Sequence, residues 1–216
     1  MCGISGIFAF SQEAQVDGAL VARMTATLIH RGPDGEGLRR GAGYALGHRR
    51  LSIVDVAAGT QPMSTADERL WVTFNGEIYN HEELRAQLEQ RGAVFRTRSD
   101  TEVLLHGYRE WGTKLASRLR GMFAFVIVDE ARHELYGARD RLGKKPFYWC
   151  EYDESFVFGS ELKALREVPR TWRLRADAIA QFLALRYVPD PNTVFEGVHK
   201  LPPAHQVIVR DGRVNT

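Results

Sequence analysis

Cys2 is the residue best placed to do chemistry. Methionine is normally trimmed when the second residue is small, and loss of Met1 would give Cys2 both a thiol and a free α-amine. An α-amine has a reference pKa of about 7.7–8.0, near working pH, so it can take the proton of its own thiol. A nucleophile served by its own terminal amine is a recognised activation scheme. The plainer reading is a small buried hydrophobe beside a strand. The other cysteine, Cys150, sits among aromatics in PFYWCEY and reads as an inert core thiol. Two cysteines make no disulfide framework, so a reducing cytoplasm is the expected location. The sequence contains no HExxH, no paired CxxC and no GxxxxGK[ST] loop, so it offers no metal site and no phosphate cradle of those kinds.

The elements that must position Cys2 can be read from periodicity. GISGIFAF (3–10) reads as a buried strand. Asp17 caps a helix whose apolar face is Leu20, Val21, Met24 and Leu28. HRGPDGEG (30–37) is rich in turn residues, and strands follow over 44–55 and 70–76. Asn80 with Glu83 has capping-box spacing, Leu84 and Leu88 share a face, and Gly92 closes that helix. A third helix is expected from about Thr101 to Leu119, with Leu104, Tyr108, Trp111 and Leu115 on one side and Gly112 as a weak point. MFAFVIV (122–128) does not alternate, so this strand is covered on both faces. Strands over 134–138, 146–152 and 155–159 follow. Next come a short helix near Glu161–Arg166 and another around Ala176–Tyr187, with Ile179, Phe182 and Leu183 at helical spacing. QVIVR (206–210) and the turn at Asp211-Gly212 suggest a closing hairpin.

Composition excludes several function classes. The 216 residues are 44% hydrophobic and 26% charged, and 29 basic against 27 acidic residues leave a net charge of +2. That balance gives no reason to expect nucleic acid or an anionic membrane surface as a partner. MCGISGIFAF lacks the basic start of a signal peptide, and no apolar run approaches the roughly 18 residues needed to span a bilayer.

Beyond MCGISGIF, further blocks recur in order: HRGPDG (30–35), RLSIVD (50–55), NGEIYNH (75–81), SDTEVLL (99–105), GMFAF (121–125), RDRLGKKPFYW (139–149) and FGSELKAL (158–165). Together they resemble the class II glutamine amidotransferases, which are N-terminal nucleophile hydrolases. They look most like the N-terminal glutaminase domain of glutamine-hydrolysing asparagine synthetases. The resemblance implies an α+β fold, a four-layer α/β/β/α sandwich of two antiparallel sheets flanked by helices. It covers residues 1–216 as a single domain, and the family's ATP-dependent synthetase domain, with its Ser-Gly-Gly-x-Asp-Ser loop, is absent from this chain.

The same resemblance assigns roles. Cys2 would attack the side-chain amide of L-glutamine and form a glutamyl thioester. Asn75 and Gly76 would form the oxyanion hole, although Asn-Gly alone reads as a hairpin turn. Arg50 would hold the substrate α-carboxylate, a task suited to a guanidinium, while Arg49 reads as a surface residue. Asp100 would pair with the substrate ammonium, or cap the helix at Thr101, or both. Ile53, Val54 and Glu77 would line the pocket. HRGPDG is either a loop over the pocket or a plain turn. Arg139, Arg141, Lys144 and Lys145 suggest a solvated or interdomain surface. No cofactor is expected for this domain; ATP and magnesium belong to the missing synthetase domain, which would act in cis or trans. A homodimer is one further partner to expect. Two rivals stand beside this reading: the same glutaminase serving a different acceptor, and a regulatory module that hydrolyses nothing.

Overall fold

The computed structural model describes residues 1–52 and 59–216. In chain order the first half contains β1 (Gly3–Ala9), α1 (Gly18–Ala26), β2 (Gly35–Gly41), β3 (Tyr44–Arg50), β4 (Met63–Ser64), β5 (Leu70–Ile78), α2 (His81–Glu89) and α3 (Asp100–Trp111). The second half contains α4 (Leu115–Arg118), β6 (Gly121–Asp129), β7 (Glu134–Arg139), β8 (Tyr148–Tyr152), β9 (Ser155–Gly159), α5 (Leu162–Leu165), α6 (Ala176–Leu185), β10 (Val198–Lys200), β11 (Gln206–Arg210) and β12 (Arg213–Asn215).

The strands form two six-stranded sheets. One has the order β10-β8-β9-β1-β3-β2 and the other β12-β11-β7-β6-β5-β4. Every pairing between these strands is antiparallel. β6 shows how the layers are built, because successive side chains on a strand point to opposite faces. Ala124, Val126 and Val128 enter the core between the sheets, with Ile4, Phe8 and Leu46 of the facing sheet. Phe123, Phe125 and Ile127 enter a second core, beneath α2, α3 and α4. A third core joins Leu20, Val21, Met24 and Leu28 to the outer face of the first sheet. The expected four layers, helix, sheet, sheet and helix, are therefore present, and the non-alternating run at 122–128 is the strand with a core on each side.

Several local expectations hold. Asp17 caps α1, accepting from the amides of Ala19 and Leu20. Gly92 follows α2 at φ +89°. Asp211 and Gly212, both left-handed, turn β11 into β12. Others are corrected. Asn80 precedes α2 but makes no cap bond; its side chain instead spans to the Arg118 carbonyl and the Arg120 amide. The helix expected over 101–119 stops at Trp111, because Gly112 adopts φ +57° and a 3-10 turn follows. Leu115 nevertheless reaches the same core from α4. The turn-rich segment at 30–37 runs into β2, whose polar sequence GEGLRRG carries no strand signal. Arg49 is not a surface residue: its side chain is 13% exposed and pairs with Glu36 at 2.8 Å. α6 buries only Ala178 and leaves Ile179, Phe182 and Leu183 exposed. Among the described residues, no helix is long and apolar enough to cross a membrane.

Candidate active site

β1 and β3 place Cys2. Gly3 pairs with Arg49, so one further step along the antiparallel register brings Cys2 opposite Arg50. The Leu51 amide donates to the Cys2 sulfur at 3.5 Å, and the thiol in turn donates to the Leu51 carbonyl at 3.8 Å. The Cys2 carbonyl accepts from Arg31 Nε at 2.9 Å, and the same guanidinium reaches Glu161 at 2.8 Å. The HRGPDG block begins in a turn and contributes no residue to the cavity that Cys2 lines, so it is not a loop over the pocket. It clamps the backbone of Cys2, and Asp34 accepts from the amide of Ser52, two residues beyond Arg50, at 2.8 Å.

β5 places Asn75 and Gly76. Asn-Gly is not a hairpin turn here: both residues lie within the strand, opposite Ala124 and Phe123 of β6. Two contacts set β5 against β3 across the sandwich. His48 Nδ1 lies 3.2 Å from Thr73 Oγ1, and that hydroxyl also donates to the Gly47 carbonyl at 3.2 Å. Two residues beyond His48 is Arg50, and two beyond Thr73 is Asn75, so this buried link helps bring both to the wall of one cavity. Burial, aided by the Arg50 charge, pushes His48 down to about 3, which keeps it neutral as a fixed strut.

Cys2, Arg50, Asn75, Gly76, Glu77 and Asp100 line one cavity of about 250 Å³. The residues expected from sequence therefore converge, except Ile53 and Val54, which lie outside the described residues. Asn75 is 1% exposed, and its amide nitrogen has no hydrogen-bond partner among the described residues. A buried donor left unmet is costly, and a cavity in which charge develops is one place to use it. Asp100 is 5% exposed and accepts from the Ile78 amide at 2.9 Å. Burial raises its pKa above the usual carboxylate value, against the opposing pull of the Ile78 amide and His81. A bound ammonium would offset that burial. Ser99, not Asp100, caps α3 by accepting from the Thr101 amide, which leaves Asp100 to the cavity.

Gly76 is required by packing. A Cβ there would stand 2.2 Å from the Met122 carbonyl and 2.7 Å from Phe123 Cα, both backbone of β6. Gly76→Ala is expected to destabilise the fold by roughly 1–3 kcal/mol, because the neighbouring strand has to shift. A urea midpoint equal to that of the wild type would contradict this packing.

Sequence reasoning missed three contributors. Gln61 accepts from the Phe74 amide at 2.7 Å and donates to Thr101 Oγ1 at 3.2 Å, joining β5 to α3 behind the cavity. Asp140, 1% exposed, gathers the amides of Leu142, Lys144 and Lys145. Lys145 also lines the cavity and is 5% exposed. The expected basic surface over 139–145 therefore holds for Arg141 and Lys144, but not for Arg139 or Lys145. Arg139 turns inward to the carbonyls of Gly143, Lys145 and Leu201. Only the block RDRLGKKP could have flagged Asp140 and Lys145, and its charges read as solvated; no motif pointed to Gln61. Cys150 is fully buried and its thiol is pushed up to about 11, which fits the inert reading.

The chain matches a family model described as a glutamine amidotransferase domain over residues 1–216. It is 43% identical to asparagine synthetase [glutamine-hydrolyzing] 1 of Bacillus subtilis, over 99% of this chain and 34% of the relative. It is 40% identical to asparagine synthetase [glutamine-hydrolyzing] 3 of the same organism, over 95% of this chain and 34% of the relative. The chain thus spans about a third of the length of these relatives. Its fold matches the glutamine phosphoribosylpyrophosphate amidotransferase of Bacillus subtilis with a TM-score of 0.72 at 22% identity, covering 99% of this chain and 48% of that one.

Proposed function

The chain belongs to the glutamine amidotransferase domain family, and on that premise we propose that it hydrolyses L-glutamine to glutamate and ammonia through Cys2. The observation that carries this reading is the buried Asn75 amide nitrogen, which has no hydrogen-bond partner among the described residues, in the cavity that also holds the Cys2 thiol. With Met1 removed, the Cys2 amine takes the thiol proton and the sulfur attacks the side-chain amide carbon of glutamine. Negative charge gathers on the amide oxygen, where Asn75 Nδ2 and the Gly76 N–H donate to it. The amide C–N bond then breaks, and the leaving nitrogen takes the proton from the amine and departs as ammonia. Water attacks the resulting thioester and releases glutamate. Arg50 holds the α-carboxylate and Asp100 the α-ammonium, so the far end of the substrate fixes the reacting end.

The ammonia would pass to a synthetase domain of the asparagine synthetase type, in cis or trans, and the ATP and magnesium chemistry would lie there. The names and lengths of the 43% and 40% identical relatives support this acceptor. The exposed Phe182 and Leu183 of α6, at 49% and 72%, are apolar surface that such a domain would bury.

The test uses the purified chain, shown by intact mass to lack Met1, with L-glutamine and with a reactive ketone analogue of glutamine. Glutamate and ammonia should appear one for one, and the analogue should add its mass to Cys2. A processed chain that neither turns over glutamine nor takes the label would sink the proposal.

A further inference from the structure

Lys145 is not explained by the reaction as described. Its side chain is buried at the cavity wall, and its loop is fixed at both ends. Asp140 takes the Lys145 amide at 3.0 Å, and Arg139 Nε donates to the Lys145 carbonyl at 2.7 Å. A lysine held this way costs desolvation, so a packing role alone would be met better by an apolar side chain. The geometry points to a role that rests on the glutaminase reading: Lys145 is a positioning residue, a fixed cation that acts through Cys2 to hold its thiol and α-amine in their deprotonated forms.

The surrounding charges are consistent with that assignment. Burial, and then Arg31, pull Lys145 below the usual lysine value, while Cys2, Asp140 and Glu77 pull it back up. Cys2 shares the cavity wall with Lys145, and a nearby cation favours the deprotonated form of an acid. Asp140 has its carboxylate committed to the amides of Leu142, Lys144 and Lys145 in its own loop and of Phe123 in β6. Arg31 lies behind Cys2, holding its carbonyl and paired with Glu161. Arg50 and Asp100 line the same cavity and are assigned to the ends of the substrate. Lys145 is left as the cation on the cavity wall with no assigned substrate group. A cation beside the Cys2 amine disfavours its protonated form, so the base is ready at a lower pH. The amine and thiol titrate together, and the shift belongs to the pair.

The test compares wild type with Lys145→Met, which keeps the aliphatic stem and removes the charge, and with Lys145→Arg, which keeps the charge. Two pH profiles are recorded for chains lacking Met1: the rate of Cys2 alkylation by iodoacetamide, and kcat/KM for glutamine. Lys145→Met should move the acid limb of both profiles upward by about one pH unit, which means roughly tenfold slower alkylation at a pH below the limb. Lys145→Arg should restore the wild-type profile. Profiles that superimpose for all three proteins, or a Lys145→Arg that behaves like Lys145→Met, would overturn the assignment. The alkylation profile needs no glutamine turnover, so it judges Lys145 even if the glutaminase reading fails.

Discussion

Cys2→Ala should release no measurable glutamate from glutamine, a loss of about 10⁴-fold or more, on the scale expected when a covalent nucleophile is removed. The fold should be unaffected, since Cys2 precedes β1 and contributes to none of the three cores. Cys150 cannot substitute, being fully buried on the other side of its sheet with its thiol held protonated. The same logic applies to Met1, which is 57% exposed and lines the cavity. While Met1 remains, the nitrogen of Cys2 is a peptide nitrogen with no basic lone pair. Specific activity should therefore track the fraction of molecules that lack Met1 by intact mass. A Cys2→Ala protein retaining even a hundredth of wild-type turnover, or full activity in a Met1-bearing preparation, would refute the N-terminal nucleophile.

Asn75→Ala should lower kcat by about 10²–10³, the usual cost of losing one oxyanion donor, and leave KM nearly unchanged. The reason lies in when the bond forms. The Asn75 amide nitrogen has no partner among the described residues of the free protein, so its hydrogen bond belongs to the charged intermediate, not to the ground state. For the same reason, the substitution should cost little stability through that nitrogen. Measured kcat and KM, with a thermal melt on the same preparation, separate the two. A raised KM at constant kcat would make Asn75 a ground-state binding group and remove it from the oxyanion hole. A collapse in melting temperature would make it structural.

Much of the architecture was legible from local pattern. The run at 122–128 has no polar face, and in the fold it has a core on each side. Asp17 and Asp211-Gly212 behave as their residue types require, because a cap or a tight turn depends on a few neighbouring backbone angles. The failures have an equally physical origin. Asn80 has the right spacing for a capping box, but its side chain is drawn off by Arg118 and Arg120, nearly forty residues away in sequence. Asn75-Gly76 has the composition of a turn, yet pairing with β6 holds it extended.

The sequence by itself determined the chemistry available: a thiol at position 2, a guanidinium at 50, an amide-glycine pair at 75 and 76, and a carboxylate at 100. It also determined the layers, because which face of an element is apolar is a property of short stretches. Only the tertiary structure decided that these groups share one cavity. It freed Asp100 by giving the cap to Ser99, and it buried Lys145 at the wall of the cavity that holds Cys2. Those outcomes depend on strand register and on contacts between residues dozens of positions apart. Local periodicity carries no information about either.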